Sequence, residues 1–451
     1  MENDRTQKRA DKGPWYDLLL ILVVLIPLAV LFLLPGGGFY TGTLWFWLFL
    51  LVCFWLLFTM LGMPGATVAD TAPQQPRMLH EQEQPSVVRE LMDVQVATEQ
   101  PAGVQVFRGT LRESAAAVYD KLKRAFSGQT VPMVQEDEEL GASILLLPKP
   151  VEQATMERPV RMWLHWLLFA LTVLTTTWAG AAHQGVNLLR EPARFAIGLP
   201  YSIGLMAILG IHELGHYFTA RRNGIRVTPP FFVPVPFALG TFGAFIQMRS
   251  PTENRRALFD VAVAGPLAGL VVAIPALFIG LKSSTVLPGD AATALGHMGG
   301  TSVGSSLLFA LLSKLSLGDA LQYGHVLRLS PLAFAGWLGL FVTALNLLPV
   351  GQLDGGHIAH AVFGRRVGDT IGTVAMWSLL LLAIFVWPGL TLWAVIVFFL
   401  AGRTVPPLND LTPLTPGRRW LGYAAFVILA LILAPLPHSL WQAAGIHCPY
   451  M

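Results

Sequence analysis

The 451-residue chain is 54% hydrophobic and only 13% charged, about half the charge of an average soluble domain. That balance excludes an ordinary soluble enzyme and excludes disorder over most of the length. A net charge of +3 at pH 7 is too weak a bias to point to nucleic acid, and two distant cysteines, Cys53 and Cys448, build neither a disulfide framework nor a cysteine-type zinc site.

A helix needs about 20 apolar residues to cross a bilayer. Such stretches run near 17–34, 44–62, 160–179, 199–220, 257–281, 331–349, 371–387, 389–402 and 420–436. Gly and Pro shorten or break several of them. The expectation is an α-helical polytopic protein of the lipid bilayer, with eight or nine transmembrane helices. The first run lacks a small-residue cleavage site and leads through Pro35 to Gly38 into a second apolar run. Residues 1–62 therefore read as a cytosolic tail and a retained hairpin rather than a signal peptide. Arg5, Lys8, Arg9 and Lys12 precede the first span and hold the N-terminus in the cytoplasm. With alternating spans the pairs at 221–222, 255–256, 365–366 and 418–419, all Arg-Arg, also fall inside, and the C-terminus lies opposite. A bacterial plasma membrane is expected over a thylakoid, because the acid-containing N-terminus makes a poor transit peptide.

Residues 63–158 are polar and acid-rich, and they follow the hairpin back into the cytoplasm. Val104 to Phe107 reads as a strand, Arg112 to Phe126 has helical periodicity, and Ala142 to Leu147 reads as a second strand. A small cytosolic α+β domain with a regulatory or docking role is expected. A membrane core over 159–405 follows, then a linker and C-terminal helix over 406–451.

His212-Glu213-Leu214-Gly215-His216 lies in the span 199–220. Histidines at i and i+4 share one helix face, so both can reach one metal ion, and the Glu between them can serve as general base. Ionisable groups inside an apolar helix are costly and mark function. The competing reading is a pair of satisfied histidines lining a polar cavity or proton path.

Val227 to Met248 is apolar yet carries Pro229, Pro230, Pro234 and Pro236, which forbid a helix. A re-entrant β-like loop is expected. Gly240, Thr241, Gly243 and Ala244 are candidates to contact substrate, because an exposed strand edge can pair with an unwound peptide. A packed loop without substrate contact is the alternative. Farther on, Gly265 and Gly269 read as a close-packing pair, and Asp260 as a polar helix-start residue.

Catalytic zinc has three protein ligands and an open position. Asp354, 138 residues after His216, is the candidate third ligand, and it ends a span at the same expected depth. His357, one turn on, is the rival, and a helix cap is a second alternative for Asp354. Pro349 breaks the helix before it, and Gly355-Gly356 permits close backbone approach.

The motifs His-Glu-x-x-His and Asn-x-x-Pro-x-x-x-Leu-Asp-Gly (from Asn346) together resemble the site-2 protease family of intramembrane zinc proteases over about 200–405. The run Phe259 to Gly269 resembles that family's signature between the two motifs. The hairpin, the soluble domain and Phe107 to Arg112 are similar to the plastid and cyanobacterial branch, where Asn usually stands at the position of Thr110. The resemblance implies one Zn(2+) held by His212, His216 and Asp354, with Glu213 as base and Asn346 at the substrate or oxyanion. It implies hydrolysis of a membrane-spanning protein substrate near its cytoplasmic end, in regulated intramembrane proteolysis. A non-proteolytic scaffold with a retained metal site, or an ion- or proton-coupled transporter, are the rival expectations. Substrate identity and oligomeric state are not legible.

Overall fold

The computed structural model describes residues 77–100, 103–128, 130–137, 139–148, 160–235, 239–288, 306–318, 325–385, 394, 397–398 and 405–434. The expected spans 17–34 and 44–62, and nearly all of 389–402, lie outside these residues.

Residues 77–148 form an antiparallel sheet in the order β1-β2-β3-β5-β4. Its strands are β1 (Arg77–Met78), β2 (Met92–Gln100), β3 (Val104–Leu111), β4 (Thr130–Asp137) and β5 (Gly141–Pro148). Two helices, α1 (Ser86–Leu91) and α2 (Ala115–Ala125), close one face. The buried stripe Val118, Tyr119 and Leu122 of α2 packs with Phe107, Val134 and Ile144 of the sheet. The helix is shorter than its periodicity suggests because Ser114 caps it, its Oγ accepting from the Ala117 N–H at 3.4 Å. Strands β1, β2 and β4 add to the two read from the sequence.

Among the described residues four helical stretches are long and apolar enough to cross a membrane: Met162–His183, Pro192–Arg222, Arg255–Lys282 and Pro416–Leu433. They contain helices α3 (Met162–His183), α4 (Leu199–Arg222), α5 (Arg255–Lys282) and α10 (Pro416–Leu433). Shorter elements complete the bundle: α6 (Leu307–Leu317), α7 (Pro331–Leu347), α8 (Asp354–Phe363) and α9 (Arg365–Phe385). The expected runs near 331–349 and 371–387 correspond to the 17-residue α7 and to α9. Large apolar side chains such as Ile203, Phe218, Val271 and Ile279 point outward, as lipid contact requires and water would penalise.

Helix α5 is central, packed against both α4 and α7. Its inner face is small at the crossings. A Cβ on Gly280 would meet the Ala333 backbone at 2.2 Å, and one on Gly336 of α7 would meet the Leu277 backbone at 2.5 Å. Between α4 and α5 the chain forms a hairpin, β6 (Phe231–Pro234) antiparallel to β7 (Thr241–Phe245), closed below by a Val227–Met248 bridge. A second small pair, β8 (Thr285–Pro288) with β9 (His325–Arg328), links α5 to α7.

Residues 406–413, at the start of the expected linker, are docked. Asn409 bridges in parallel to Val134 on the edge of β4 and to Asn254 just before α5. Leu408 and Leu411 pack on the core of the sheet domain.

Candidate metal centre

Helix α4 presents His212 and His216 one above the other, both buried. Their ring planes meet at 70°, and their Nε2 atoms lie 3.1 Å apart. Nδ1 of His216 is 2.8 Å from the carbonyl oxygen of Val261 on α5. A carbonyl only accepts, so Nδ1 carries the proton and donates it, leaving the Nε2 lone pair for a metal.

The third group arrives from α7 and α8. Leu348 caps α7, and Pro349 cannot continue it. A tight turn through Gly351, at φ +50°, brings in α8. A Cβ on Gly355 would stand 1.9 Å from the Leu347 carbonyl oxygen, and one on Gly356 would stand 2.2 Å from that of Gly351. Only glycines let the first turn of α8 lie this close to the end of α7. The cap position of α8 belongs to Leu353, so Asp354 is not the cap. Its Oδ2 lies 3.5 Å from His212 Nε2 and 3.3 Å from His216 Nε2.

Among the described residues His212, His216 and Asp354 form the one cluster whose ligand atoms all lie within 4.8 Å of one another. His357, the rival third ligand, is not part of it. A tetrahedral zinc with bonds of about 2.0–2.2 Å holds its ligand atoms about 3.3 Å apart. The observed separations of 3.1, 3.3 and 3.5 Å fit that ion. Two nitrogen lone pairs and a carboxylate converging in a buried site suit a cation between them.

Glu213 is buried beside the cluster, with Oε1 4.0 Å from His212 Nε2. Asn346, on the last turn of α7, places Nδ2 3.3 Å from His212 Nε2. All five motif residues thus come together from α4, α7 and α8.

The loop candidates divide. The Gly240 carbonyl accepts from Thr175 Oγ1 at 2.7 Å, and a Cβ on Gly240 would stand 2.5 Å from Thr176 Cα. Thr241 Oγ1 donates to the Val233 carbonyl at 2.8 Å and accepts from the Gly243 N–H at 2.9 Å. Gly240 therefore holds the hairpin against α3, and Thr241 holds the hairpin's own turn together. Gly243, with φ +104° and open space where a Cβ would be, and Ala244 lie on β7. The outer edge of β7 carries no further strand among the described residues.

Three features escaped the sequence reading. A Cβ on Gly265 would stand 2.0 Å from His216 Nε2, and one on Gly269 would stand 3.2 Å from His212 Nδ1. The glycine pair of α5 thus clears space for the imidazoles as well as for helix packing. Asp260 lies past the helix start and is held by Arg418, at 2.7 Å from Nε and 2.8 Å from Nη2. Asp410 contacts Arg255 and His360. Only the glycine spacing was a local signal; the other two join residues more than 49 positions apart.

The family described as Peptidase family M50 matches residues 200–386. The chain is 30% identical over 378 residues to the probable zinc metalloprotease EGY1, chloroplastic, of Arabidopsis thaliana, covering 76% of this chain and 68% of that protein. It is 30% identical over 362 residues to the probable zinc metalloprotease EGY2, chloroplastic, of the same plant, covering 76% and 62%. The EGY2 protein of Oryza sativa subsp. indica is 30% identical over 355 residues, covering 76% and 63%. The chain thus spans roughly two thirds of these relatives' length. No solved structure matches it.

Proposed function

Since the chain belongs to peptidase family M50, the site-2 type of membrane zinc metalloprotease, we propose that it cuts a membrane-spanning protein near its cytoplasmic end. The step belongs to regulated intramembrane proteolysis. The observation that carries this reading is the convergence of His212, His216 and Asp354 at 3.1–3.5 Å beside the buried Glu213.

Zinc held by these three residues would polarise the scissile carbonyl and make water a nucleophile near neutral pH. Glu213 takes the proton of the attacking water and returns it to the leaving amine nitrogen. Once the His212 lone pair is committed to metal, the Asn346 amide is free to donate to the developing oxyanion. The Val261 carbonyl keeps His216 in the Nε2-ligating tautomer. A transmembrane substrate hides its amides in i to i−4 bonds. The open edge of β7 offers replacement partners to the unwound segment.

In the reading we favour, the N-terminus and the domain 63–158 lie in the cytoplasm of a bacterial plasma membrane. The domain over 63–158 regulates or docks, and the core over 159–405 does the chemistry.

The test is Glu213→Gln in the detergent-purified chain with a reporter transmembrane substrate. Retained zinc with cleavage reduced at least about a hundredfold supports the mechanism. Cleavage at the wild-type rate rejects it.

A further inference from the structure

Asp410 lies beyond the stretch matched to the family and outside every motif used so far. Its side chain is 1% exposed, and a buried carboxylate is costly unless paired. Oδ1 accepts from Arg255 Nε at 3.1 Å and from His360 Nε2 at 2.9 Å, and Oδ2 lies 3.0 Å from the same His360 nitrogen. Nε2 of His360 therefore carries the proton. His360 Nδ1 is buried with no hydrogen-bond partner, so Asp410 is what anchors this ring.

The two partners belong to the two helices behind the metal ligands. His360 lies on α8, six residues beyond Asp354, or about 9 Å along the helix axis. Arg255 begins α5, whose Val261 carbonyl holds His216 and whose Gly265 clears space for it. On its other side the segment around Asp410, a strap over residues 406–413, is bonded to the sheet domain. The Asp410 N–H donates to the Val134 carbonyl at 2.9 Å, the Val134 N–H donates to the Leu408 carbonyl at 2.7 Å, and Gln135 Nε2 donates to the Pro407 carbonyl at 3.0 Å.

We propose that Asp410 is a positioning residue for the metal centre. By clamping α5 to α8 it sets the separation of His216 from Asp354, and through its main chain it ties that separation to the edge strand of the sheet domain. The inference rests on the zinc reading above and extends it. Any rearrangement of the domain that shifts β4 pulls on the strap, and the strap acts on both helices that frame the ligands. Groups outside the first coordination sphere commonly govern metal affinity by 10–100-fold. Removing Asp410 also leaves the buried His360 and the partly buried Arg255 without their partner.

The experiment measures the zinc dissociation constant of the full chain in detergent, by competition with a chromophoric chelator, below the melting temperature of every variant. Asp410→Asn and His360→Ala should weaken zinc binding ten- to a hundredfold. His360→Gln keeps an amide N–H within reach of Asp410 and should recover most of the affinity, which a merely structural role for the ring would not predict. Lys123→Gln breaks the exposed Lys123–Glu253 ion pair between the domain and the α5 approach, and should leave zinc affinity unchanged. Wild-type affinity in Asp410→Asn, or equal affinities in the two His360 variants, overturns the inference. Should Asp410→Asn fail to fold, the His360 pair decides. A wild-type chain that binds no zinc rejects the reading on which the inference rests, and the inference with it.

Discussion

The Nδ1–H of His216 donates to the Val261 carbonyl at 2.8 Å, and four residues on, Gly265 leaves open the space that His216 Nε2 occupies. One helix thus fixes the tautomer of a ligand and makes room for it. Gly265→Ala would put a Cβ 2.0 Å from Nε2, so the ring must leave its position. Gly269→Ala would come only to 3.2 Å from His212 Nδ1, a crowding that small shifts relieve. Zinc content measured by elemental mass spectrometry should fall to background in Gly265→Ala and only partly in Gly269→Ala. Equal zinc in both variants would contradict the geometry.

Asn346 is the one motif residue whose contact, 3.3 Å to His212 Nε2, competes with metal ligation. If its amide serves the oxyanion, Asn346→Ala should lower kcat by about 10²–10³, with little change in KM or zinc affinity. A loss of zinc in proportion to activity would instead assign Asn346 to holding His212.

The hairpin carries a separate prediction. Ile246 directly follows β7, and proline there removes a backbone donor and blunts the strand edge. Ile246→Pro should retain zinc and cut reporter substrate far more slowly. Full turnover in this variant would show that substrate does not pair along β7.

The legibility of this chain followed distance in sequence. His212 and His216 are one helical turn apart, so periodicity alone put them on one face. Asp354 was reachable through a motif, because its glycines and Pro349 form a local pattern whose steric cause appears only in the fold. Strand β2 was missed because a bulge shifts its register between Val94 and Val96, breaking the two-residue alternation that marks a strand. Strand β4 was masked by Pro132, which is tolerated because β4 is an edge strand. The Val134 N–H, two residues on, points away from β5 to Leu408, so the missing Pro132 N–H would face the same way. Asp410 gave no signal because its partners lie 155 and 50 residues away.

Metal binding should also appear as stability. Ligands on α4 and α8 become cross-linked once zinc binds. A ligand that binds only the folded state stabilises it by RT ln(1 + [L]/Kd), or about 4 kcal/mol at a thousandfold excess over Kd. Chelator treatment should therefore lower the melting temperature of the detergent-solubilised chain and abolish cleavage, and added zinc should restore both. In Asp354→Ala the ion loses one of three protein ligands, so the zinc-dependent shift in melting temperature should nearly vanish while the apo melting temperature stays close to wild type. A full zinc-dependent shift in that variant would mean that the ion binds elsewhere, and that the His212, His216 and Asp354 cluster is not its site.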